Sequence, residues 1–393
     1  MPVAFPSAAE VDLEPPGPEE ARAIARGIAG AISGGEGLTA LQAALLEELG
    51  ASMTGYRTDA ATASARPIGP EELAALLARR DRTFRTRIVQ TMELLVLILV
   101  PLPEELAARV ESYAGELGVG DDPMLRAAHR LARGSLGLAL VDFQRSGYFE
   151  SMTGTVEHLH TDALQDAWDS RPADRALADR WAALADCPVG SLGRLVSCFY
   201  RARGFSYPGA PASAPPNLAQ HDWIHVLAEY GSTVEGEIEV FGLISRASDD
   251  PEAFALLAMV IGLFETGYVF DAAKGFFEYD RGHLSRTPGM AVRLADAMRR
   301  GALAGWHMQP RDEHGAAVDL LKVDWFEHAD LPVDEVREIF HVVSRSPAAI
   351  AAGSVSPWER GGISPFQYRH GRETADAAGV PYDSFGATPA EPI

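Results

Sequence analysis

The chain has 393 residues, 47% hydrophobic and 23% charged, which is the balance of an ordinary globular protein and excludes the disordered and fibrous classes. Its 55 Asp and Glu against 34 Lys and Arg leave a formal charge of -21, so phosphate backbones and anionic head groups are repelled over most of the surface and nucleic acid is excluded as an expected partner. The apolar run Leu94 to Leu102 falls short of the roughly 20 residues a spanning helix needs, so no transmembrane segment is expected.

Met1-Pro2 followed by Glu10, Asp12 and Glu14 lacks the basic and apolar parts of a secretory signal, which predicts a cytoplasmic protein with room for peripheral membrane contact. Cys187 and Cys198 form no C-x-x-C pair, so neither a disulfide framework nor a thiolate zinc site is expected; both read as reduced, buried and structural.

In chain order, residues 1–18 carry five prolines among acids and read as a flexible leader, with order beginning near Pro18. From 19 to 148 apolar residues recur at helical spacing, as in Leu41, Ala44, Leu45 and Leu49, and predict a first helical bundle. Pro70-Glu71-Glu72 and Pro103-Glu104-Glu105 mark helix starts, with carboxylates where the helix dipole favours them. The clusters Gly34-Gly35-Glu36-Gly37-Leu38-Thr39 and Gly118-Val119-Gly120-Asp121-Asp122-Pro123, each followed by an amphipathic helix, give residues 20–145 a loose resemblance to the two halves of a TerB-like (tellurite-resistance-like) helical domain. No binding residue carries across from it.

Residues 149–174 are polar, include His158 and His160, and read as a linker. The two histidines, two positions apart, do not share a helix face and are expected in solvent. Residues 175–345 are again helical in period, without the alternation a half-buried strand requires. Residues 346–393 carry Pro347, Pro357, Pro365, Pro381, Pro389 and Pro392 among Gly and Ser, predicting an extended tail. The expected fold is all-α, with two helical bundle domains.

The chemistry concentrates at His221-Asp222-Trp223-Ile224-His225. Residues four apart share a helix face, so the two imidazoles project side by side and can chelate a cation. Imidazole and carboxylate ligands suit zinc or another first-row divalent ion. Glu229 completes the stripe if the helix runs straight. Glu237 lies about 120° away from His225 on an unbroken helix, at roughly 100° per residue, and needs a turn between them. Gly231-Ser232 supplies one. Ser232-Thr233-Val234-Glu235 fits a capping box that starts a new helix and makes Glu235 structural, and Gly236 permits close approach, so Glu237 is the preferred third ligand. Asp222 is either a ligand or a carboxylate that orients a ligating imidazole and moves protons.

His221, Asp222, His225 and Glu237 also match the H-D-x-x-H, eleven residues, Glu hallmark of the ubiquinone biosynthesis protein family Coq-four. Cys187-Pro188-Val189-Gly190-Ser191-Leu192-Gly193-Arg194, Phe199, Gly204-Phe205 and Gly236-Glu237 extend the similarity, which spans roughly residues 175–270. The resemblance implies an all-α protein holding a divalent metal, zinc first, beside a cavity for an isoprenoid chain. The implied chemistry is metal-assisted oxidative decarboxylation, in which the ring carboxyl of a prenylated aromatic precursor is replaced by a hydroxyl. Partners implied are an isoprenoid or prenylated aromatic lipid and other biosynthetic enzymes. Leu256, Leu257, Met259, Val260, Ile261, Leu263 and Phe264 offer material for such a cavity, although a helix apolar nearly all round reads first as a buried core helix.

Two alternatives stand beside this reading. A non-catalytic scaffold presenting isoprenoid lipids would use the metal to hold the fold. A metal-dependent HD-type phosphohydrolase would use His221-Asp222 with His158 or His160, leaving His225 and Glu237 unexplained. Gly-x-Ser-x-Gly, Walker-type and dinucleotide-binding loops are absent from the sequence.

Overall fold

The computed structural model describes residues 16–135, 139, 173–211, 213–214, 216–248, 251–268, 281–307 and 319–390. Among them the chain is all helix, turn and isolated bridge, with no strand. The first half folds as α1 (Pro18–Ile32), α2 (Ala40–Thr54), α3 (Ala60–Ala65), α4 (Pro70–Leu76), α5 (Arg82–Leu97), α6 (Glu104–Glu116) and α7 (Pro123–Ala132). Local signals set these bounds. Proline occupies the first turn of α1 and α4, Thr39 and Gln42 form a reciprocal capping box on α2, and the Asp81 carboxylate caps α5 by accepting from the Phe84 amide at 2.7 Å.

The second half comprises α8 (Arg175–Ala182), α9 (Leu192–Arg203), α10 (Pro216–Ala228), α11 (Val234–Ala247), α12 (Pro251–Phe264), α13 (Met290–His307) and α14 (Val333–Ile339). Helix α11 is buried continuously from Gly236 to Ala247, as an element enclosed on all sides must be. Helix α13 crosses it at backbone contact. A Cβ on Gly301 would collide with the Leu243 carbonyl, and a Cβ on Gly305 with that of Ala247. Helix α12, apolar nearly all round, packs against α11 with Leu257 and Ile261 wholly buried, so it is a core helix.

One hydrophobic cluster runs from Ala23 to Val342 through both halves. Helix α13 packs on α2 as well as on α11. The Arg87 guanidinium on α5 donates to the carbonyls of Ser245, at 2.8 Å, and Ser248. Arg246 returns the connection by donating to Thr91 Oγ1 at 3.0 Å, and the Tyr268 hydroxyl accepts from the Leu102 amide at 2.9 Å. The two helical groups expected from the sequence therefore share their core; the linker expected at 149–174, with His158 and His160, lies outside the described residues except for its last two positions.

The tail is not simply extended. It contains α15 (Pro347–Ala351) and α16 (Pro365–Ala377), because Pro347 and Pro365 sit in first turns, where a missing N–H is harmless, behind the caps Ser346 and Ser364. Helix α16 packs on α9, and Tyr382 donates to the Ala202 carbonyl at 2.8 Å.

Candidate metal centre

His221 and His225 lie one turn apart on α10, and each already has one ring nitrogen engaged. His221 Nδ1 bonds to the Leu218 carbonyl and His225 Nδ1 to the Tyr230 carbonyl at 3.1 Å. A carbonyl only accepts, so both Nδ1 atoms carry the proton and both Nε2 atoms turn toward the same point. Helix α10 ends at Ala228, and Glu229 adopts a left-handed conformation with φ of 60°. This break removes Glu229 from the histidine stripe; its carboxylate lies 3.6 Å from Arg337 instead.

The chain then reverses through Gly231-Ser232 into α11, which delivers Glu237. Its Oε1 lies 3.3 Å from His225 Nε2 and its Oε2 lies 3.4 Å from His221 Nε2. One ligand atom from each of His221, His225 and Glu237 falls within 4.8 Å of the others. Gly236 makes this crossing possible, because a Cβ there would strike the Gly231 carbonyl.

Asp222 stands at the margin of the cluster, with Oδ1 3.5 Å from His221 Nε2, while Oδ2 accepts from the Tyr200 hydroxyl at 2.6 Å. Short and charge-assisted, that bond fixes the carboxylate. Two aromatic rings stack on the imidazoles, and a third backs the Tyr200 ring that holds Asp222. Phe241 stacks on His221 at 5.1 Å, Phe199 on His225 at 5.6 Å, and Tyr207 on Tyr200 at 5.5 Å. His225 is wholly buried and Glu237 is 8% exposed in its side chain.

Charge is strongly coupled here. Burial disfavours the charged form of His221, but Asp222 and Glu237 more than reverse this and bring its pKa to about 9. Burial likewise opposes ionisation of Glu237, yet His225 and His221 hold its carboxyl well below the usual range. Burial, followed by the Asp222 charge, pushes the Tyr200 phenol far up, so Tyr200 acts as a donor. The buried His225 Nε2 makes no aligned hydrogen bond even with Glu237 at 3.3 Å. A buried imidazole nitrogen with no aligned hydrogen bond, set beside a carboxylate, fits a cation, and two imidazoles with one carboxylate form a donor set that first-row divalent ions accept.

Several sequence expectations change in detail. The cap of α11 is Thr233, which accepts from the Gly236 amide at 3.3 Å, because Arg203 and Gln367 engage the Ser232 hydroxyl. Glu235 remains structural but pairs with His283 at 2.9 Å and Thr287 at 3.1 Å. Cys198 is buried, whereas Cys187 is only half-buried, and burial together with Asp330 pushes its thiol up to about 11. Tyr200, Phe241 and Arg203 are not singled out by the sequence; no local spacing rule links them to residue 221 or 237. No protein-family model, curated protein or solved structure matches this chain.

Proposed function

We propose that this protein binds one divalent metal ion through His221, His225 and Glu237, with Asp222 as a fourth ligand or proton-moving carboxylate, and acts on or presents a prenylated aromatic precursor. The observation that carries the metal reading is the convergence of both Nε2 atoms and the Glu237 carboxylate from two helices, with both Nδ1 atoms already donating to backbone carbonyls. Backbone acceptors of this kind orient ligating imidazoles and raise their basicity. Zinc is the first candidate, since two imidazoles and a carboxylate leave a position open for substrate or water.

The substrate class rests on the similarity of residues 175–270 to the Coq-four family. A bound divalent ion would supply Lewis-acid polarisation of a substrate oxygen. The chain's own part is to orient the two imidazoles, to hold Asp222 through Tyr200, and to exclude water with Phe199 and Phe241.

Elemental analysis of the purified protein beside a His225→Ala, Glu237→Ala double variant tests the metal reading, with circular dichroism checking that both remain helical. One equivalent of divalent metal in the wild type and none in the variant is expected; metal in neither would sink the proposal. Chelation then separates the roles: an unfolded apoprotein would assign the metal to the fold and favour a lipid-presenting scaffold. A folded apoprotein whose turnover of prenylated benzoates returns with metal would favour catalysis.

A further inference from the structure

The turn joining the two ligand-bearing helices is buried, so its amides cannot be left to solvent. They find partners far along the chain. The Gly231 amide donates to the Val355 carbonyl at 2.9 Å and the Ser232 amide to the Gly362 carbonyl at 3.1 Å. The same turn is gripped through the Ser232 hydroxyl, which donates to Gln367 Oε1 and accepts from Arg203 Nε, both at 2.5 Å. Arg203 continues to the Gly362 carbonyl at 2.9 Å and lies 3.6 Å over the Phe199 ring, which in turn stacks on His225. The surfaces meet at backbone contact: a Cβ on Gly231 would lie 2.8 Å from Gly362 Cα.

One peptide group connects this clamp to the cluster. The carbonyl of Tyr230 accepts from His225 Nδ1, and the amide of the same peptide plane, that of Gly231, donates to Val355. The position and polarity of that plane therefore act directly on a ligating imidazole. We propose that Arg203, Ser232 and Gln367 are positioning residues of the metal centre, clamping the Tyr230–Ser232 turn onto the C-terminal segment 355–367 and so fixing His225 and Glu237 in mutual register. This rests on the metal reading above, and it makes the segment after residue 345 a component of the site.

The test uses Co2+ as probe on the full chain, with affinity measured by competition against a chromophoric chelator and coordination followed by the visible absorption of the bound ion. Gln367→Leu removes the acceptor while keeping the volume, and is expected to weaken Co2+ by about 10–100-fold, the usual cost of losing a group that orients a ligand. Gln367→Glu keeps an acceptor beside Arg203 and is expected to restore most of the affinity, which a purely volumetric role would not predict. Phe366→Ala, at an exposed neighbour on the same helix, should leave affinity unchanged. If Gln367→Leu fails to fold, Ser232→Ala removes the same bond with a smaller change and is read in its place. A wild type that binds no Co2+ overturns the metal reading itself. A wild type that binds one equivalent, with the leucine or alanine variant equal to it, leaves the metal reading standing and overturns the clamp.

Discussion

At the scale of single residues, the cluster is organised by what each polar atom has left to do. Both histidines give their Nδ1 protons to carbonyls, Asp222 gives one oxygen to Tyr200, and the remaining atoms, two Nε2 and the Glu237 carboxylate, face one another. Glu93 on α5 offers a contrast. It is wholly buried, and among the described residues neither carboxylate oxygen has a hydrogen-bond partner. Burial, with repulsion from Asp122, raises its pKa well above the ordinary value of 4.5. Below about pH 4 the carboxyl is neutral in both folded and unfolded chains, whereas above it the unfolded chain ionises first and stability is progressively lost. Glu93→Gln is therefore expected to match the wild type in denaturant titrations at pH 4 and to exceed it by about 1–3 kcal/mol at pH 7. A variant less stable than the wild type at pH 7 would contradict this account.

At the scale of elements, the close crossing of α11 and α13 places the helix that carries Glu237. Gly301 is the contact point, with no room for a methyl group against the Leu243 carbonyl. Gly301→Ala would raise helix propensity in isolation, by about 1 kcal/mol. Overpacking opposes this with a cost of about 1–3 kcal/mol or more, and it outweighs the propensity gain because the obstructing oxygen belongs to rigid backbone. A net loss of stability is expected in thermal unfolding, and under the proposed metal reading a shift of α11 should weaken Co2+ binding as well; a variant with unchanged midpoint would show that the crossing can relax. The turn between α10 and α11 is the second controlling element. Left-handed Glu229 stops α10, and Thr233 rather than Ser232 starts α11, since the serine is drawn into contact with Arg203 and Gln367.

At the scale of the whole molecule, α5 and α11 exchange buried arginine hydrogen bonds across the two halves, and α13 packs on both α2 and α11. Separating the halves would expose apolar faces and leave buried polar groups without partners. Differential scanning calorimetry should accordingly give one transition whose calorimetric and van't Hoff enthalpies agree. Two resolved transitions would mean that the halves unfold independently despite the shared core.

Helix type, the helix starts near Pro18, Pro70 and Pro103 and the histidine pair are legible in the sequence because they depend on neighbours within about one turn: period 3.6 spacing, Pro and acid signals at first turns, and the i, i+4 relation of His221 and His225. The preference for Glu237 over Glu229 is legible for the same reason, since Gly231-Ser232 announces a break in the chain itself. The tail departs from the extended form its composition predicts because proline disfavours a helix interior yet suits a first turn: Ser346-Pro347 and Ser364-Pro365 are helix-start signals that a count of prolines overlooks. Tyr200 beside Asp222, Arg203 and Gln367 on Ser232, and the core joining the two halves were decided by tertiary structure alone. They join residues 22 to more than 150 positions apart, and only packing determines which distant donor meets which buried acceptor.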